Sequence, residues 1–219
     1  MNLENIRTRL KPLLVFGALY LSTFFALEQR TEKINIIETE IDTMIPFCEY
    51  FIVPYVIWYF FVAGTVIYFM IHASRREYES LIYSLAIGMI IFVVISFVYP
   101  NGHNLRPVLG GDNIFLRAVK ILYTVDTSTN ILPSLHVFNT VVCYKAISNN
   151  QMCRKCKWLI VSMGILSVAI ILSTMFLKQH SVIDVVSALF CNAVTYYVIY
   201  NTNILEANFR KRRKFLKNV

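Results

Sequence analysis

The chain alternates between long apolar runs and short polar segments. Almost wholly apolar runs fall at about 12–27, 50–72, 80–99, 132–148, 158–177 and 181–204. A helix that crosses the hydrocarbon core of a bilayer needs about 20 such residues. The pattern therefore predicts an all-α, polytopic membrane protein with a bundle of six transmembrane helices. The fourth run is the weakest, being short and polar at its start. Residues 1–219 are expected to form a single membrane-embedded domain.

Two connections stand out. Between the first two runs, Glu28 to Ile45 alternates acidic residues with Ile34, Ile36, Ile37, Ile41, Met44 and Ile45. That is the pattern of a short amphipathic segment lying at the membrane interface. Residues 100–131 form the longest polar connection and hold Pro100, Asn101, Gly102, Pro107, Gly110 and Gly111, all turn formers. A structureless loop of that length is often functional. The first run follows Arg7, Arg9 and Lys11, as a signal peptide would, but no small-x-small cleavage pattern follows it. It is expected to be a retained first span.

Composition agrees with this picture. The chain is 57% hydrophobic and 16% charged, against about 25% charged in soluble domains. The net charge of +8 would point to nucleic acid in a soluble protein. Here the basic residues sit between apolar runs, where topology and anionic lipid headgroups account for them. The bilayer is the expected partner and nucleic acid is not. With the N-terminus inside, 15 of the 21 basic residues fall on the inner side. The positive-inside rule then predicts a cell-membrane protein with both termini cytoplasmic. Arg210–Lys217 forms a basic patch suited to anionic lipid. Cys153 and Cys156 have metal-ligand spacing, but no second pair follows, so no metal is expected there.

That orientation places three polar clusters on the extracytoplasmic side. They are Asn104–Pro107 with Arg106, Pro133-Ser134-Leu135-His136, and Lys178 to Asp184 with His180. Ionisable groups at membrane depth are costly and mark function. His180 and Asp184, four residues apart, would share a helix face, so that Asp184 fixes one imidazole nitrogen and frees the other as a nucleophile. Pro133 suits a first helical turn, and Ser134 with the free amides forms an anion site that His136 can reach. Arg106 offers a bidentate phosphate fork, and Lys178 a second cation. His103 lies near Arg106 and could touch a substrate, but it reads as a solvated loop histidine. Tyr50, Phe51, Tyr55, Trp58, Tyr59, Phe60 and Phe61 read as lipid-facing and interfacial.

The ordered set Arg106-Pro107, Pro133-Ser134-Leu135-His136 and His180-x-x-x-Asp184 resembles the type 2 phosphatidic acid phosphatase superfamily. The resemblance implies a metal-independent, cofactor-free lipid phosphate phosphatase. By it, His180 would take the phosphoryl group as phosphohistidine and Asp184 would orient it. His136 would protonate the leaving alkoxide, and Arg106 and Ser134 would hold phosphoryl oxygens. Two motif cations are missing, since Tyr99 and Thr174 stand in their places; Lys178, Arg117 or Lys120 would have to compensate. The missing arginine and the leucine in Pro-Ser-Leu-His look more like the branch near inositol phosphorylceramide synthases. That resemblance implies a phospholipid headgroup phosphotransferase. A metal-dependent hydrolase built on His136, His180 and Asp184 would be distinguished by sensitivity to chelator. A transporter or channel would be distinguished by paired interrupted helices at the midplane.

Overall fold

A computed structural model describes residues 3–28 and 34–201. The basic tail at 210–217, and Arg30 and Lys33, lie outside the described residues. The long helices are α1 (Leu3–Glu28), α3 (Ile52–His72), α4 (Arg75–Val98), α7 (Lys157–Phe176) and α8 (Val182–Tyr196), which runs into a π-helical turn at Tyr197–Asn201. Three shorter helices complete the set: α2 (Glu40–Met44), α5 (Ile114–Val125) and α6 (Leu135–Asn149). Two-residue strands β1 (Asn35–Ile36) and β2 (Asn101–Gly102) pair in parallel.

Among the described residues, five helices are long and apolar enough to cross a membrane: α1, α3, α4, α7 and α8. Their outward faces carry exposed Leu19, Phe60, Phe97, Ile165 and Phe190. Water would reject such a surface and lipid accepts it, which is consistent with an integral membrane protein. The fourth apolar run becomes α6, of 15 residues. At 1.5 Å per residue it is about 22 Å long, short of the roughly 30 Å core. It packs against α3, α4, α7 and α8. Val137, Phe138, Val142, Cys143 and Ala146 on α6 are all buried in the main core.

Local chemistry sets the ends. Ser74 and Glu77 form a reciprocal capping box that starts α4: the Ser74 amide donates to Glu77 Oε2 (3.0 Å) and the Glu77 amide to Ser74 Oγ (3.3 Å). At the same end of the bundle, Arg9 Nη1 donates to the carbonyls of Met70 (2.9 Å) and Ala73 (3.2 Å). Asn150 Nδ2 reaches Glu77 Oε1 at 3.0 Å. The opposite end gathers the start of α3, the end of α4, the start of α6, the end of α7 and the start of α8.

Two expectations change here, and another gains detail. Residues 100–131 are not structureless, because α5 occupies Ile114–Val125. Asn113 caps it by accepting from the Leu116 amide at 2.8 Å, and Leu116 and Val119 give it a buried face. The segment around α2 exposes Ile41 (55%) and Met44 (78%) while burying Asp42 (2%). Its apolar face looks outward and its acid looks in. Thirdly, the aromatic run of α3 is not all lipid-facing. Tyr55 is fully buried, Trp58 packs against the core and Phe51 stacks on Phe176.

Candidate functional site

All three polar clusters meet at that second end. The turn between α7 and α8 is the centre. The Gln179 amide donates to the Thr174 carbonyl (2.9 Å) and the Lys178 amide to the Met175 carbonyl (3.0 Å). These two bonds, with Lys178 at φ +53, make a Schellman ending of α7. Glycine usually fills that left-handed position; lysine there costs about 1 kcal/mol. Its ammonium is held by the main-chain carbonyls of Asp42 (2.5 Å) and Ile45. Lys178 therefore ties the turn to α2, and its charge is engaged there.

α8 starts at Val182, with Ser181 as its cap. The Ser181 amide donates to Asp184 Oδ2 at 2.8 Å. His180 is thus one residue ahead of the cap and not on the helix face. It still reaches Asp184: Nδ1 and Oδ2 are 3.4 Å apart. That is contact without hydrogen-bond alignment, the loose geometry that unliganded sites often show. Asp42 approaches from the other side. Val182 N donates to Asp42 Oδ1 (2.8 Å), and Ser181 Oγ to Asp42 Oδ2 (2.7 Å). Burial opposes the Asp42 charge, but the bonds from Ser181, Val182 and Thr39 outweigh it and hold the carboxyl below its usual range.

α6 brings His136 to the same place. Ser134 caps α6, with its Oγ accepting from the Val137 amide (3.4 Å), and the Ser134 amide donates to the Asp184 carbonyl (3.3 Å). Pro133 precedes the cap instead of lying in the first turn, because Ser134 itself takes the capping position. The first helical amides, of Leu135 and His136, have no acceptor within the helix. The His136 ring lies against Tyr55 (4.4 Å between centroids) and Trp58 (3.9 Å), and 6.0 Å from the His180 ring.

Arg106 arrives from the loop after β2, but its fork points into protein. Nη1 donates to the Tyr123 carbonyl (3.2 Å), and Nη2 to the Asp126 carbonyl (2.5 Å) and to Gln179 Oε1. The guanidinium also lies 4.3 Å from the Tyr123 ring centre. Tyr55 closes the network by donating to Asp126 Oδ2 at 2.5 Å. His103 is buried, not solvated (3% exposed). Its Nδ1 accepts from the Leu105 amide (3.1 Å), so its Nε2 donates to the Gln179 carbonyl (3.0 Å). Burial holds its pKa below the ordinary value, with His180 and Arg106 adding to the effect and Asp184 and the Gln179 carbonyl opposing it.

The positions that lack motif cations gain none from the expected substitutes. Thr174 is buried and its hydroxyl bonds back to the Ile171 carbonyl (2.8 Å), while Tyr99 ends α4 half-exposed. Arg117 pairs with Asp112 at 2.6 Å on the surface, and Lys120 donates to the Gly111 carbonyl at 2.9 Å.

What the cluster holds instead is a set of buried polar atoms with no hydrogen-bond partner among the described residues. They are Trp58 Nε1, His136 Nε2, Asn139 Oδ1, Gln179 Nε2, His180 Nδ1 and Asp184 Oδ1. Buried polar groups are satisfied nearly everywhere in proteins. Such a concentration around two histidines leaves bonding capacity there for a polar ligand or water. Beside it, a cavity of about 690 Å³ opens between α2 and the 104–107 loop, lined in part by Glu38, Thr39, Asp42, Asn104 and Lys178.

Sequence reading gave no role to Gln179, Asp42 or Asn139, and it read His103 as solvated and Trp58 as lipid-facing. Of the first three, only Asp42 left a signal, as an acid in an otherwise interfacial segment. Comparison with known proteins adds nothing to this geometry: no family model, no curated protein and no solved structure matches the chain.

Proposed function

We propose that the chain is an integral membrane lipid phosphate phosphatase working through a phosphohistidine on His180. The observation that carries this reading is the pairing of His136 and His180, 6.0 Å apart by ring centroid, with Asp184 beside His180. A nucleophile and an acid that act on one phosphoryl group need to lie close together in this way. The free Nε2 of His180 attacks phosphorus, while Asp184 holds the Nδ1 proton. The ester P–O bond breaks as His136, protonated at Nε2, gives its proton to the leaving lipid alkoxide. Water then attacks the phosphohistidine; His136 takes its proton and phosphate leaves. Ser134 and the first amides of α6 supply an anion-binding helix start. Arg106 supports the site through its network and not by an open fork.

The charge pattern supports placing this site on the extracytoplasmic face, with α6 as the sixth, shorter span. A second reading is favoured by the cavity beside α2, whose lining includes Thr39, Asp42 and Asn104. An alcohol bound there would replace water in the second step and make the protein a headgroup phosphotransferase.

The test is phosphate release from a panel of lipid phosphates by purified protein, with and without inositol or diol acceptors. His180→Ala should abolish release while the protein still inserts. Undiminished release by that variant would sink the mechanism, and a new phospholipid in place of free phosphate would select the second reading.

A further inference from the structure

Gln179 stands immediately before His180 and is only 2% exposed. Every other polar group it has is committed. Its amide donates to the Thr174 carbonyl (2.9 Å), and its carbonyl accepts from His103 Nε2 (3.0 Å). Its side-chain oxygen accepts from Arg106 Nη2. That contact decides which way the carboxamide faces. A guanidinium carries only donors, so the atom against it must be the oxygen; a flipped amide would set N–H against N–H. Arg106 cannot turn away, because the Tyr123 and Asp126 carbonyls hold it (3.2 and 2.5 Å). The Gln179 amide nitrogen is thereby left with two N–H bonds, buried, and with no acceptor among the described residues.

A buried donor without an acceptor is costly. The neighbouring His180 Nδ1, Asp184 Oδ1 and His136 Nε2 are unsatisfied as well. We infer that the Gln179 carboxamide nitrogen donates to a non-bridging oxygen of the phosphoryl group held at His180. A neutral donor, fixed from behind by Arg106, thus serves where Thr174 and Tyr99 leave no cation. This assignment rests on the phosphatase reading and names one of its binding groups. A purely structural glutamine would need only its oxygen, to satisfy Arg106. The two roles separate under Gln179→Glu, which keeps an acceptor for Arg106 but replaces both N–H bonds with a second oxygen.

Full-length wild type, Q179E and Q179M in detergent are titrated with orthovanadate, read by thermal shift, and assayed on a lipid phosphomonoester for KM and kcat. Q179E should stay folded, since Arg106 gains an ion pair, yet lose vanadate affinity at least about tenfold and raise KM by a similar factor. Q179M should weaken both to a comparable degree, and supplies the answer if Q179E does not fold. Either folded variant binding vanadate as tightly as wild type overturns the assignment. Wild type that is folded but neither binds vanadate nor releases phosphate overturns the phosphatase reading, and the assignment with it.

Discussion

Asp42 caps the first turn of α8 from 140 residues away, its Oδ1 accepting from the Val182 amide at 2.8 Å. Its Oδ2 takes Ser181 Oγ at 2.7 Å, as well as the Thr39 amide (2.7 Å) and hydroxyl (2.9 Å). One carboxylate thus serves donors from two segments. An anion at a helix start also meets the positive end of the helix dipole.

Asp42→Asn offers one acceptor oxygen where the carboxylate offers two, and turns an NH2 toward existing donors. At least one part-buried main-chain N–H then loses its acceptor, at about 1–2 kcal/mol. The expected result is a lowered unfolding midpoint and faster amide exchange at Val182 or Thr39, the two amides that donate to Asp42. Exchange at those two amides equal to wild type would rule out the capping role.

His103 sets a pH dependence. Its folded pKa is held below the ordinary value by burial, and protonating Nδ1 would break the bond from the Leu105 amide. The unfolded chain accepts that proton near pH 6.5. The folded state therefore keeps its full His103 contribution above about pH 6.5 and loses it as pH falls toward the depressed folded value, by at most about 1.4 kcal/mol per pH unit. His180, Asp184 and Arg106 face the same ring and are common to both proteins compared. His103→Gln keeps a donor for the Gln179 carbonyl and should flatten the fall in thermal midpoint between pH 7.5 and 5. Parallel pH profiles for the two proteins would count against this account.

Gly88 lets α4 and α6 approach. A Cβ there would lie 2.1 Å from the Phe138 ring, which is itself fully buried. Gly88→Ala gains about 1 kcal/mol of helix propensity but forces the ring or the helices to move, at about 1–3 kcal/mol. The second effect should win, lowering the thermal midpoint; Gly64→Ala on α3, with nothing within 4 Å, is the matched control and should not lower it. An equal response from the two variants would show that the close approach is not needed.

The long helices were legible because lipid demands uninterrupted apolar runs, and runs leave a pattern in one dimension. α1 begins well before its apolar stretch, and α6 is short because the fourth apolar run is itself short and Ser134 caps the helix inside it. The clustering of Arg106, His136, His180 and Asp184 near one end was also readable, since alternating spans fix which connections share a side. What each side chain touches was not readable. Nothing in Arg106-Pro107 says that the fork will find the Tyr123 and Asp126 carbonyls, and nothing in Lys178 says that it will seek α2. Those partners lie on separate elements, and only packing chooses among them. His103 was misread because a loop residue becomes buried when another loop, here at Gln179, closes over it.

The bonds joining α2 to the α7–α8 turn also bear on biosynthesis. Val182 is made 140 residues after Asp42. At a synthesis rate of about 5–20 residues per second, the Asp42 carboxylate waits about 7–28 s for its α8 partners. Until the α7–α8 turn and the start of α8 have been made, Asp42 has only its Thr39 bonds, and the carbonyls that hold Lys178 lack that partner. The end of the bundle that carries His180 therefore closes only after the start of α8 has been made.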